Sequence, residues 1–161
     1  MNGKQASILA VFIALSVVGA LIKIPAIVGS VAIDVFPALI AAALLGSRSG
    51  AIIASFGHLL SALIVGMPLG PFHLLIAVEM AGLVWIFGSF YRLNRKKLAI
   101  MTFIIGNAFI APLPFLFLLG NGFYVALVPA LVVGSLLNIG LAIVLLPRLS
   151  LIFEKKGVVG L

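Results

Sequence analysis

Residues 49–97 read SGAIIASFGHLLSALIVGMPLGPFHLLIAVEMAGLVWIFGSFYRLNRKK. Two apolar stretches, 49–66 and 72–91, flank a short turn rich in Gly and Pro, and the second runs straight into Arg92, Arg95, Lys96 and Lys97. Each is close to the ~20 apolar residues that a helix needs to cross ~30 Å of hydrocarbon. The stretch therefore predicts a helical hairpin that spans a membrane and carries its charges at one end. The same punctuation by Gly, Pro and charge marks further apolar segments at 5–24, 33–46, 98–118 and 122–147. Together they predict an all-α membrane protein, a bundle of six transmembrane helices. The segment at 33–46 is short for a full crossing, so it is expected to stand with little tilt, to begin inside the preceding loop, or to be partly re-entrant.

Composition agrees with that fold class. Of 161 residues, 65% are hydrophobic and 8% are charged, whereas soluble domains are about a quarter charged. Six spans leave nothing for an extramembrane domain, and no internal repeat, low-complexity tract or linker appears, so residues 1–161 are expected to form a single integral membrane domain. The first apolar run continues to about Ile24 with no Ala-x-Ala cleavage signal, which reads as a helix rather than a removable leader. The absence of cysteine excludes disulfides, thiolate chemistry and Cys-based metal sites.

The net charge of +7 raises nucleic acid only until the charges are located. With six crossings and a cytoplasmic start, Lys4, Arg48, Arg92, Arg95, Lys96, Lys97, Arg148, Lys155 and Lys156 all fall on the cytoplasmic side, and only Lys23 falls outside. Cytoplasmic loops carry such an excess of Lys and Arg, and shifting the span count by one would destroy the pattern. Both termini are therefore expected in the cytoplasm, and the basic residues set topology rather than contact nucleic acid.

Function must then rest on the few polar residues in or beside the membrane, because a charge at the centre of a bilayer costs about 2.5–3.5 kcal/mol on insertion scales. Of the three acids, Glu154 lies beside Lys155 and Lys156 and reads as a solvated tail residue. Asp34 sits at the outer mouth of the second segment. Glu79 lies ~10 Å and His58 ~12 Å below the outer ends of their helices, His73 lies at the outer surface, and Asn107 lies near mid-membrane. Each also has a structural reading. Glu79 could fix helix packing through an ion pair or hydrogen bond, and His58, beside Gly57, Ser61 and Ala62, could be an interhelical donor. Asn138, ~24 Å from the outer end of its helix, reads as interhelical glue. Phe36 and Phe72 flank polar candidates and could stack on a ring. The candidate substrate-binding set is thus Asp34, His58, His73, Glu79, Asn107, Phe36 and Phe72, concentrated in the outer half, as a cavity loading from outside requires.

No Walker motif is present, and no His-Glu-x-x-His pair or intramembrane Ser-His or paired-Asp arrangement stands out. No catalytic residue and no metal ligand set is expected. Binding without an energy source points to a partner. In the first segment Ala6, Ala10 and Ala14 recur every fourth residue, which places three small side chains on one stripe where another helix can approach, in this bundle or in a second subunit.

The whole chain resembles the substrate-binding S component of an energy-coupling factor vitamin transporter. The resemblance rests on length, six helices, cytoplasmic termini, the stripe Ala6, Ala10, Ala14 and a Lys23-Ile24-Pro25 turn opening a long outer loop. It implies a multi-pass protein of the bacterial cytoplasmic membrane that takes a vitamin or precursor from outside. It implies that the alanine stripe contacts a transmembrane coupling subunit, driven by two cytoplasmic ATPases that use the ATP, with no cofactor in this chain. It also implies that the loaded S component topples in the membrane and carries its site inward.

Within that family the segment Gly57–Gly82, preceded by Val31-Ala32-Ile33-Asp34, is most similar to members assigned to α-ribazole, the nucleoside of the lower ligand of cobalamin. The residue inventory is compatible with a neutral nucleoside, because a cavity for anionic pantothenate or folate should offer Arg or Lys, and only Lys23 is expected outside. A cationic vitamin such as thiamin, or a pyrimidine- or pyridoxine-like precursor, remains open, although the only tryptophan, Trp85, lies toward the cytoplasmic half. So does a stand-alone channel or proton-coupled carrier in which Glu79 and His58 titrate.

Overall fold

A computed structural model describes residues 3–25 and 30–155. In chain order it consists of α1 (Gly3–Leu21), a hairpin of β1 (Lys23–Pro25) and β2 (Ser30–Ala32), α2 (Phe36–Leu44), α3 (Ser47–Val65), α4 (Phe72–Arg92), α5 (Lys96–Ile105), α6 (Leu113–Leu119) and α7 (Asn121–Lys155). Among the described residues five helical rods are long and apolar enough to cross a membrane: α1, α3, α4, the composite rod Lys96–Leu119 and α7.

The expected sixth crossing, at 33–46, is instead α2, whose nine residues span only about 13 Å. It is a short wedge inside the bundle and, with the hairpin and corner before it, returns the chain to the end where α1 begins. Ala38, Leu39, Ala41 and Ala42 are fully buried, and α2 packs on α1, α3, α4 and α7. Gly50 of α3 permits that approach, since a Cβ there would stand 2.8 Å from the Cα of Ala42 and 2.9 Å from the carbonyl oxygen of Ala38. Little hydrophobic force separates helix from lipid, so such close backbone contact at small residues is what holds membrane helices together. Around the wedge, Phe87 and Phe103 pack edge to face at 6.3 Å.

The Lys23-Ile24-Pro25 segment, expected to be a turn, is a strand. It pairs antiparallel with β2 in the register Lys23↔Ala32, Ile24↔Val31, Pro25↔Ser30.

The composite rod changes pitch in the middle. Gly106–Ile110 form a π-helical turn, closed by the Ala111 N–H donating to the Gly106 carbonyl at 2.7 Å. Pro112 follows directly. A proline ring clashes with the carbonyl four residues earlier in α-helical register, and the wider turn relieves that clash.

The outward faces of the rods are apolar. Phe117 is 84% and Val78 69% exposed, a surface suited to lipid and not to water. The α2–α3 corner meets α1 and Arg92 of α4 at one end. The last turns of α7 reach the same end, where Pro147 and Ser150 line a groove with Leu44, Tyr91 and Lys96. Arg48, Arg92, Arg95, Lys96 and Lys97 gather at this basic end, and Lys156 lies outside the described residues.

Candidate functional site

A cavity of about 200 Å³ lies inside the bundle, lined by the β2–α2 corner, α3, α4, the π-helical turn and α7. Its polar lining side chains are Asp34, His58, Asn107 and Asn138, and its apolar walls include Val35, Ile76, Met80, Ala130 and Leu131. Neither Lys nor Arg is among the lining residues.

The corner that carries Asp34 does not stay at a helix mouth, as expected from sequence, but dips into the bundle. Asn138 holds it there. Its Oδ1 accepts hydrogen bonds from the backbone N–H groups of Val35 at 3.0 Å and Phe36 at 2.9 Å, and its Nδ2 donates to the carbonyls of Ala32 at 3.0 Å and Gly134 at 2.9 Å. Both lone pairs and both donors of the amide are thus in use. The two N–H groups it receives belong to the start of α2, which has no side-chain cap of its own, so a residue 102 positions away satisfies donors that would otherwise be orphaned. Asn138 therefore does join helices, tying α7 to the start of α2, and it also anchors the corner and lines the cavity. On the other side of the corner, α1 comes close because position 19 is glycine, and a Cβ there would overlap the Ile33 carbonyl.

Asn107 projects from the π-helical turn. Its Nδ2 donates to Ser135 Oγ at 2.8 Å, and Ser135 Oγ donates in turn to the Leu131 carbonyl at 2.7 Å. This leaves Asn107 Oδ1 with no partner among the described residues.

His58 and His73, expected as separate candidates, form a pair. His58 Nε2 lies 3.1 Å from His73 Nδ1, and the rings are 5.2 Å apart. His73 is not at the surface but 6% exposed, beneath the α3–α4 turn, where the Leu69 N–H donates to its Nε2 at 3.3 Å. A neutral imidazole has one donor and one acceptor nitrogen. With Nε2 accepting, His73 Nδ1 donates to His58 Nε2, and this network assigns the remaining proton of His58 to Nδ1. His58 therefore offers a donor, with no protein acceptor among the described residues, from a side chain that lines the cavity.

The other candidates stand elsewhere. Glu79 does not line the cavity, and its buried Oε2 has no hydrogen-bond partner among the described residues. Its neighbours Ile76 and Met80 face the cavity instead. Phe72 packs edge to face on Phe115 at 5.8 Å, and Phe36 packs against the apolar core. On α1, Ala10 and Ala14 are exposed and Ala6 is half-buried, so most of the alanine stripe faces out of the bundle. Among the described residues no cluster of three or more His, Asp or Glu could hold a metal ion.

Long apolar rods around a small chamber with polar side chains define a multi-pass membrane protein built to hold a small molecule. The family of the ECF transporter, substrate-specific component, matches residues 4–153, and the chain belongs to it. No curated protein and no solved structure matches the chain. The protein is thus a substrate-binding membrane subunit of an ECF transporter. The family is one of transport components, not of enzymes, and its members work in a complex with a T component and ATPases.

Proposed function

We propose that the chamber binds α-ribazole, taken up from the end of the bundle opposite the basic end, for cobalamin salvage. The observation that carries this reading is the polarity of the lining: one carboxylate, one imidazole and two carboxamides, without a cation. A carboxylate at Asp34 suits ribose hydroxyls, which donate hydrogen bonds, and the donor of His58 suits an unprotonated ring nitrogen of a benzimidazole. Carboxylate-bearing vitamins would meet Asp34 with no guanidinium or ammonium to offset it.

Asp34 also favours a second ligand class, a cationic vitamin such as thiamin, for which it would be the counter-charge.

In this reading the basic end is cytoplasmic, the exposed Ala10 and Ala14 receive the coupling subunit, and two ATPases bound to that subunit hydrolyse the ATP. Asp34, His58 and Asn107 contact the ligand, and His73 orients His58. Titration calorimetry on the purified protein, with α-ribazole, thiamin, pantothenate and a buffer blank, tests it. One-to-one binding of α-ribazole is expected. Heat from thiamin alone would transfer the site to the cationic class, and heat from pantothenate alone would overturn the argument from charge.

A further inference from the structure

A second and larger cavity, of about 650 Å³, opens at the basic end between α1, the α2–α3 corner and α4. Ile8, Ile52 and Trp85 form its apolar side, and Ser47, Arg48 and Arg92 its polar side. We propose that this cleft binds the headgroup of an anionic glycerophospholipid from the leaflet at the basic end, with its acyl chains running along Ile52 and Trp85.

Charge is the first argument. Arg92 lies over the α2–α3 corner, where a Cβ on Gly46 would stand 2.8 Å from its Nη1. Its guanidinium thus sits beside the start of α3, where the positive end of the helix dipole makes a second cation unfavourable. Arg48 adds another positive charge to the same wall. None of the three acids in the chain is among the lining residues, so nothing in this wall neutralises the two guanidiniums. A phosphodiester does so with the fork geometry that guanidinium favours.

The form of the cleft is the second argument, and it selects a lipid over free phosphate. Trp85 is 50% and Ile52 41% exposed, so the apolar side opens laterally toward hydrocarbon. An indole there has the amphipathic character that places Trp at membrane interfaces. A hydrogen bond from Ser89 Oγ to Ser47 Oγ at 3.2 Å ties α4 to α3 at the polar side.

The experiment uses the full chain in phosphatidylcholine nanodiscs or mild detergent. Phosphatidylglycerol is titrated, and bound lipid is counted by native mass spectrometry alongside thermal unfolding. The expected result is retention of one phosphatidylglycerol in preference to phosphatidylcholine by about thirtyfold, the effect of two basic contacts near a membrane surface. The double substitution Arg48→Gln/Arg92→Gln should abolish the preference, and Arg95→Gln/Lys97→Gln, at the same end but outside the cleft, should leave it intact.

Equal retention of the two lipids by the unsubstituted protein overturns the proposal, and this comparison needs no variant to fold. So does an undiminished preference in the Arg48/Arg92 variant, or an equal loss in the Arg95/Lys97 control. Stabilisation by glycerol 3-phosphate or inorganic phosphate equal to that by phosphatidylglycerol would reassign the cleft to a soluble phosphate and overturn the lipid assignment.

Discussion

Asn138 Oδ1 lies 2.9 Å from the Phe36 backbone nitrogen, joining the middle of α7 to the first residue of a helix 102 positions earlier in the chain. Removing the amide by Asn138→Ala leaves two backbone donors and two carbonyls without this partner. At about 1–3 kcal/mol for each orphaned buried group, the variant should unfold at a clearly lower temperature and lose at least ~10-fold in ligand affinity. Asn138→Asp keeps the acceptor for Val35 and Phe36 and should lie between the two. Thermal unfolding in detergent together with calorimetry checks the order, and equal behaviour of the Ala and Asp variants would show that the corner does not depend on these bonds.

The same bond explains what could and could not be read from the chain. The limits expected at 49–66 and 72–91 fall within about two residues of α3 and α4, because Gly, Pro and charge are local signals. The segment at 33–46 loses its first three residues to a corner held by Asn138, a contact that no periodicity reports. Depth along a straight helix places Asn138 far from the outer end, and no local signal in the chain marks a strand hairpin leading into the bundle. His58 and His73 were each legible as polar residues in an apolar setting. Two histidines flanking one short turn carried the signal that they meet.

Among the ligand-facing candidates the geometry ranks Asp34 and His58 above Glu79. Asp34→Asn and His58→Phe should each weaken binding by roughly tenfold or more, the value of one charge-assisted or desolvated hydrogen bond. Glu79→Gln should change affinity by less than ~3-fold, since its neighbours Ile76 and Met80 face the cavity instead. Calorimetry on the three purified variants decides, and the reverse ranking would move the site toward Glu79.

His73 makes its contribution at one remove. His73→Phe preserves a ring beneath the α3–α4 turn but removes the donor that assigns the His58 tautomer. Affinity should fall by about tenfold, with a smaller drop in unfolding temperature than in Asn138→Ala, because only the part-buried Leu69 N–H and His58 Nε2 lose a partner. A nitrogen-15 spectrum of the imidazoles should show His58 protonated at Nδ1 in the unsubstituted protein and a mixture of tautomers in the variant. An Nε2-protonated His58 in the unsubstituted protein would reverse the donor assignment.

The glycine at position 19 is required by contact rather than by backbone angle. In Gly19→Val the new side chain would meet the Ile33 carbonyl, so the corner must shift away from α1 and take Asp34 with it. Overpacking of this kind costs typically ~1–3 kcal/mol. Both unfolding temperature and ligand affinity should fall, and unchanged affinity in a folded Gly19→Val protein would show that the cavity tolerates displacement of the corner.

The face of α1 separates binding from assembly. Ala10 and Ala14 are exposed, so enlarging them to Leu displaces nothing in this bundle, and surface changes of that kind stay within about 0.5 kcal/mol. The same enlargement on a small-residue stripe would hold a partner helix away, because close backbone approach is what makes such stripes associate. Ala10→Leu/Ala14→Leu should therefore bind the ligand as tightly as the unsubstituted chain while failing to co-purify with the T component and ATPases. Retained co-purification would move the partner surface off this stripe, and loss of ligand binding would mean that α1 supports the chamber through a face the structure leaves bare.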